Sequence, residues 1–158
     1  ALKQNGLTTF SKAPFTSNKK LIGEELIIPT KIYVNDLLPL VRKNLINSMA
    51  HITGGGILEN LSRSIPRGLV AVIETKGFKI PKKFLWLKGL SKCSELEMLK
   101  TFNCGIGMIL VVSKHNSEKV QEYLKKNNVK SYFLGNVNKR TKKASNVKIK
   151  MFGEWCLT

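Results

Sequence analysis

Apolar residues along the chain switch between two spacings, and the switches predict its elements. After Pro29-Thr30, Leu37, Leu38, Leu40, Val41 and Leu45 recur at helical spacing, with Pro39 placed to kink the helix. Ser48 to Ile52 is short, apolar and followed by glycines, which predicts a buried strand. Gly54 to Ser64 then reads as a helix with Leu58 and Leu61 inward, and Pro66-Arg67-Gly68 as a turn. Leu69 to Thr75 is an unbroken β-branched run, the pattern of a strand covered on both faces.

Further along, Pro81 stands at a helix N1 position before Phe84, Leu85 and Trp86. Ser94 and Glu97 have capping-box spacing ahead of Leu96, Met98 and Leu99. Gly105 to Val112 predicts a second buried strand, and Ser117 a helix cap before Val120, Tyr123 and Leu124. Ser131 to Val137 and Val147 to Phe152 read as strands joined by a basic turn. Residues 1–28 are mixed, with Pro14 and the polar run Thr16 to Lys20. Interleaved strands and helices of this kind give a sheet with helices packed on it.

Length and composition narrow the class. A chain of 158 residues that is 42% hydrophobic has enough material for one core. The longest stretch without Lys, Arg, Asp or Glu is Asn44 to Leu58, 15 residues including three glycines, too short for a membrane helix of roughly 20. Cys93, Cys104 and Cys156 show no C-x-x-C spacing and are read as free thiols of a reducing compartment. The net charge of +17 comes mostly from scattered lysines. From Tyr123 to Gly153 there are nine basic residues and no acidic one, with Lys139, Arg140, Lys142 and Lys143 nearly consecutive. No aromatic interrupts that cluster to stack a base, so a solvated turn is the plainer reading than a nucleic-acid patch.

Two clusters carry candidate chemistry. In His51-Ile-Thr53-Gly54-Gly55-Gly56, followed by Glu59 and Asn60, a strand ends, three glycines turn the chain and a helix starts. Glycines admit a bulky anion close to the backbone, and a helix N-terminus supplies unpaired N–H groups and a positive dipole end. Thr53 adds a hydroxyl. Glycine-rich turns also serve packing alone, and both readings stand on the motif itself. His51 beside such a loop is either a structural histidine or an acid, base or anion ligand. Glu59 could equally complement the helix dipole. The second cluster, Asn103-Cys104-Gly105-Ile-Gly107, bridges a helix end and a strand, and its glycines suggest close backbone approach. Cys104 lacks a basic neighbour in sequence, which favours an inert thiol over a nucleophile.

Three segments together resemble the C-terminal half of the phosphoribosylformylglycinamidine cyclo-ligase (aminoimidazole ribonucleotide synthetase) family. They are Pro29-Thr30-Lys-Ile-Tyr33-Val34, Ala50-His51 through Asn60, and Met98 through Met108, with similar residues at Phe84-Leu-Trp86-Leu87 and Leu134-Gly135. The resemblance covers roughly Leu21 to Gly135. It implies an α+β fold, a mixed β-sheet with helices on both faces, in a cytoplasmic enzyme of purine biosynthesis. It further implies ATP- and Mg²⁺-dependent ring closure of formylglycinamidine ribonucleotide, with ATP and metal held mainly by an N-terminal domain. The complete enzyme is then expected to be a homodimer, without membrane or nucleic-acid partners.

On this reading residues 1–20 are an incomplete lead-in helix and loop, 21–138 the C-terminal domain, and 139–158 a basic turn and C-terminal extension. Thr53, Gly54, Gly55, Gly56, Glu59 and Asn60 would face a substrate phosphate, with His51 catalytic and Asn103, Cys104, Gly105 and Gly107 forming a nearby wall. The chain alone is expected to be inactive. The alternative is a basic RNA- or protein-binding module using 139–150.

Overall fold

The computed structural model describes residues 1–140 and 145–150. Lys142, Lys143, Cys156 and all residues beyond Lys150, including Met151 and Phe152 of the strand expected over Val147 to Phe152, lie outside the described residues.

The chain opens with a single 3₁₀ turn at Lys3–Asn5 followed by loop. This lead-in is nonetheless packed. Ala13 is buried, Phe15 lies 4.8 Å from the Trp86 ring, and Lys12 bridges to Leu21. Then follow α1 (Ile22–Leu26), α2 (Val34–Arg42), β1 (Ser48–His51), α3 (Gly56–Ser64) and β2 (Leu69–Glu74). The remainder is α4 (Lys82–Ser91), α5 (Glu95–Thr101), β3 (Met108–Val111), α6 (Ser117–Lys126), β4 (Gly135–Lys139) and β5 (Val147–Lys150).

The α+β class holds, with strands running in both directions in two hydrogen-bonded sets. β1 and β3 pair antiparallel, Ser48 opposite Val111 and His51 opposite Met108. β2 lies between antiparallel β4 and parallel β5. The strands on either side of the basic turn therefore do not form a hairpin: β2 separates them. Val147, opposite Ala71 of β2, is buried in the main core.

Helices pack on both faces of β3 but on one face of β1. The side chains of β3 alternate with the strand period. Ile109 and Val111 join a core built from Ala50, Ile52, Ile57, Leu61, Met98 and Leu99. Met108 and Leu110 pack instead on Leu37, Leu40, Val120 and Leu124 of α2 and α6.

Local signals resolve with small shifts. Ser94 and Glu97 form the capping box of α5, the Ser94 hydroxyl accepting from the Glu97 amide at 3.3 Å and the carboxylate from the Ser94 amide at 2.8 Å. These bonds hold the Glu97 carboxyl below its usual pKa. Pro81 precedes α4 at the cap, one position before N1. Ser117 is the first residue of α6, whose cap position is Asn116. Pro39 is carried inside α2, which begins four residues later than Pro29-Thr30 suggested. Met49 and His51 of β1 are exposed, since helices bury only its Ala50 face.

Candidate functional site

Antiparallel pairing brings both sequence clusters to one end of the β1–β3 ladder. β1 leaves through His51 into the glycine loop, and β3 enters from the 103–107 loop. The Ile52 amide donates to the Gly107 carbonyl at 2.9 Å and ties the loops together.

The three glycines do three different jobs. A Cβ on Gly54 would meet nothing within 4 Å, so this is the open point of the loop. Gly55 has φ +88°, where a Cβ would run into the Glu59 carboxyl, a flexible obstacle. Gly56 has φ +58° and is buried; its Cβ would strike the Leu99 carbonyl oxygen and lie 2.8 Å from the Lys100 carbonyl carbon. Gly56 lets α3 pack on the end of α5, and its amide is spent on the Thr53 carbonyl at 3.1 Å.

Asn60 braces this turn from inside the helix. Its Nδ2 lies 2.8 Å from the Gly56 carbonyl, 3.0 Å from that of Gly54 and 3.5 Å from that of Thr53. Glu59 is exposed and ion-paired with Arg63 at 2.8 Å. The amides of Thr53, Gly54 and Gly55 donate to no described residue, and no side chain caps α3. Those donors, the exposed Thr53 hydroxyl and the positive end of α3 form a surface suited to an anion.

His51 is exposed and makes no hydrogen bond with the described residues; its ring meets Tyr33 edge-on at 6.0 Å. The Tyr33 hydroxyl lies where a Cβ on Gly107 would be, so Gly107 is small to admit it. Tyr33 joins the two clusters, and sequence reasoning did not place it in the site. The available signal was its position in the Pro29–Val34 segment of the resemblance.

The 103–107 loop is mostly self-satisfied. Asn103 Oδ1 accepts from the Gly105 amide at 3.0 Å. Gly105, at φ +93°, abuts Pro81, whose Cγ and Cδ lie 2.6 Å from its missing Cβ. Cys104 is 0% exposed, its thiol directed at the Met98 carbonyl 3.5 Å away, and burial pushes its pKa up to about 12. Its thiol is closed off from solvent. A groove of about 540 Å³ opens beside this loop, lined by Tyr33, Gly105, Gly107, Met108, Leu124 and Tyr132 among others.

Among the described residues no three His, Cys, Asp or Glu side chains gather to hold a metal ion. Among the described residues no helix is long and apolar enough to cross a membrane. In the basic segment, Arg140 donates to Asn146 at 2.7 Å and Lys150 pairs with Glu74 at 3.6 Å. Both serve the sheet, which weakens the case for a module built on 139–150.

The chain is an α+β domain with a braced glycine turn at a strand end and, behind it, a helix that no side chain caps. Residues 1–148 match the AIR synthase related protein, C-terminal domain, and the chain belongs to that family. It is 45% identical over 148 residues, 93% of its length, to the bifunctional purine biosynthetic protein purD of Dictyostelium discoideum, of which it covers 18%. It is 38% identical to the phosphoribosylformylglycinamidine cyclo-ligase of Ligilactobacillus salivarius, over 88% of the chain and 44% of that protein. With the cyclo-ligase of Caldicellulosiruptor saccharolyticus the identity is 45%, over 75% of the chain and 35% of the relative. The chain thus spans less than half the length of these relatives.

Proposed function

We propose that this chain is the substrate-side domain of a phosphoribosylformylglycinamidine cyclo-ligase. The observation that carries the reading is the family match through residues 1–148, shared with stand-alone cyclo-ligases. In the reaction, the formyl oxygen of formylglycinamidine ribonucleotide takes the γ-phosphoryl group of ATP. An amidine nitrogen then closes on that carbon, and phosphate leaves with the oxygen to give the aminoimidazole ring. The domain's contribution is positioning and charge handling.

In this reading the amides of Thr53, Gly54 and Gly55 and the Thr53 hydroxyl hold the ribonucleotide phosphate. Asn60 keeps the loop in shape. His51 faces the same space as an acid, base or anion ligand, with Tyr33 fixing one side of its ring. ATP and Mg²⁺ are held mainly by the N-terminal half, in one cytoplasmic polypeptide. The complete enzyme is then a homodimer, and the isolated chain forms no ADP.

Titrating ribose 5-phosphate into the ¹⁵N-labelled chain tests the loop. The expected result is saturable shifts at Thr53, Gly54 and Gly55 that are lost in Gly54→Glu. Shifts elsewhere, or none at tens of millimolar ligand, would refute the phosphate assignment.

A further inference from the structure

We propose that the apolar surface from Leu26 to Val41 is the docking face for the N-terminal half that accompanies this domain in its longer relatives. Seven large apolar side chains in this stretch face solvent: Leu26, Ile27, Ile28, Ile32, Val34, Leu38 and Val41. Ile27 is 81% exposed, Ile32 79% and Val34 60%. The helical part is a stripe, not scatter. Val34, Leu38 and Val41 stand at i, i+4 and i+7 on α2, while Leu37 and Leu40 bury the other side. A helix apolar on two faces has one partner in this domain and lacks the second. Exposed apolar side chains concentrated in one stretch in this way mark an interface.

Charge and size select the occupant. The chain carries +17, yet residues 21–36 hold Glu24, Glu25 and Asp36 against Lys31 alone, a local balance of −2. Lys31 pairs with Asp36 at 2.8 Å and Lys20 with Glu25 at 3.3 Å, giving an apolar centre with a charged rim. A second copy would bring another +17 to the contact, against long-range repulsion. The cyclo-ligase relatives supply a different occupant, since this domain accounts for only 44% and 35% of two of them. Interfaces between domains of one chain bury about 600–1,500 Å², a scale that a face of seven apolar side chains suits. Tyr33 lies within the same stretch and touches the candidate site through His51 and Gly107. A partner seated here borders the glycine loop and closes a cleft over it.

The inference rests on the cyclo-ligase reading, and one experiment separates them. Hydroxyl-radical footprinting compares the 158-residue chain with the intact polypeptide in which an N-terminal half precedes it. Labelling of Ile27, Ile32 and Val34 is expected to fall at least about fivefold in the longer protein, with exposed Phe133 unchanged as the internal control. Unchanged labelling overturns the proposal. Protection that appears in the short chain merely on raising its concentration assigns the face to a second copy and overturns it too. Ring closure in the longer protein with unprotected labelling would defeat the docking face alone; protection without ring closure would defeat the cyclo-ligase reading alone. The Ile27→Asp/Ile32→Asp variant should leave the short chain's melting unchanged while the longer protein loses protection at Val34.

Discussion

Replacing each loop glycine by alanine should give three different results, because the structure gives each glycine a different reason. At Gly54 a methyl group meets nothing within 4 Å. The substitution should be neutral or stabilise by up to about 1 kcal/mol through reduced freedom of the unfolded chain. At Gly55 the backbone has φ +88°, and the obstacle is the end of the Glu59 side chain, which can swing away. The expected cost is about 1 kcal/mol of backbone strain. At Gly56 strain at φ +58° is joined by a fixed obstacle, the carbonyl carbons of Leu99 and Lys100, both at 2.8 Å. Strain of about 1–2 kcal/mol and repacking of about 1–3 kcal/mol sum to roughly 2–5 kcal/mol. At about 2–4 °C per kcal/mol for a domain this size, the midpoint should fall by roughly 4–20 °C. Thermal melts followed by circular dichroism read all three. A Gly56→Ala variant that melts with the parent, or a Gly54→Ala variant that melts well below it, would refute this division of labour.

His51→Ala in the intact enzyme should lower turnover by roughly a hundredfold; His51→Asn should rescue little if His51 transfers a proton and much if it supplies only a hydrogen bond, read from kcat. Cys104 should resist iodoacetamide in the native chain at pH 8 while half-buried Cys93 reacts, read by mass spectrometry of the peptides. Since the folded thiol ionises only near pH 12 and the unfolded one near 9.0, its contribution to stability is full below pH 9.0 and is lost as pH rises towards 12; Cys104→Ala should flatten that alkaline decline in urea midpoints. Ser94→Ala should lower the melting temperature by a few degrees through loss of the α5 cap. Its gap to the parent should narrow as pH falls below 4.5 and the Glu97 carboxylate protonates.

Local chemistry in this chain was readable wherever a few adjacent residues determine the outcome. The Ser94–Glu97 box, the turn at Pro66-Arg67-Gly68 and the strand at Leu69–Glu74 formed where periodicity and capping placed them. Pairing was not readable, because it is decided by residues far apart. Nothing near Val147 shows that it runs parallel to β2 rather than back along β4. The helix suggested at Pro29-Thr30 starts only at Val34, because the backbone stays non-helical through Ile32 and Tyr33 reaches across to Gly107. In the site, the clusters were found, but the role of each glycine depends on what lies opposite. Leu99 behind Gly56, Pro81 behind Gly105 and Tyr33 behind Gly107 come from other parts of the sequence.

The placement of β5 against β2 bears on how the molecule is made. Ala71 pairs with Val147, and Glu74 with Lys150. During synthesis β2 is complete about half a chain length before its parallel neighbour exists. Its apolar residues Val70, Ala71 and Ile73 must wait with an open hydrogen-bonding edge, the state in which strands recruit foreign strands. Lys148 and Lys150 on the late strand keep that strand soluble until it docks, and Glu74 receives Lys150 when it does. Solubility during expression should therefore depend more on the interval between residues 74 and 147 being translated and shielded promptly than on the stability of the finished domain.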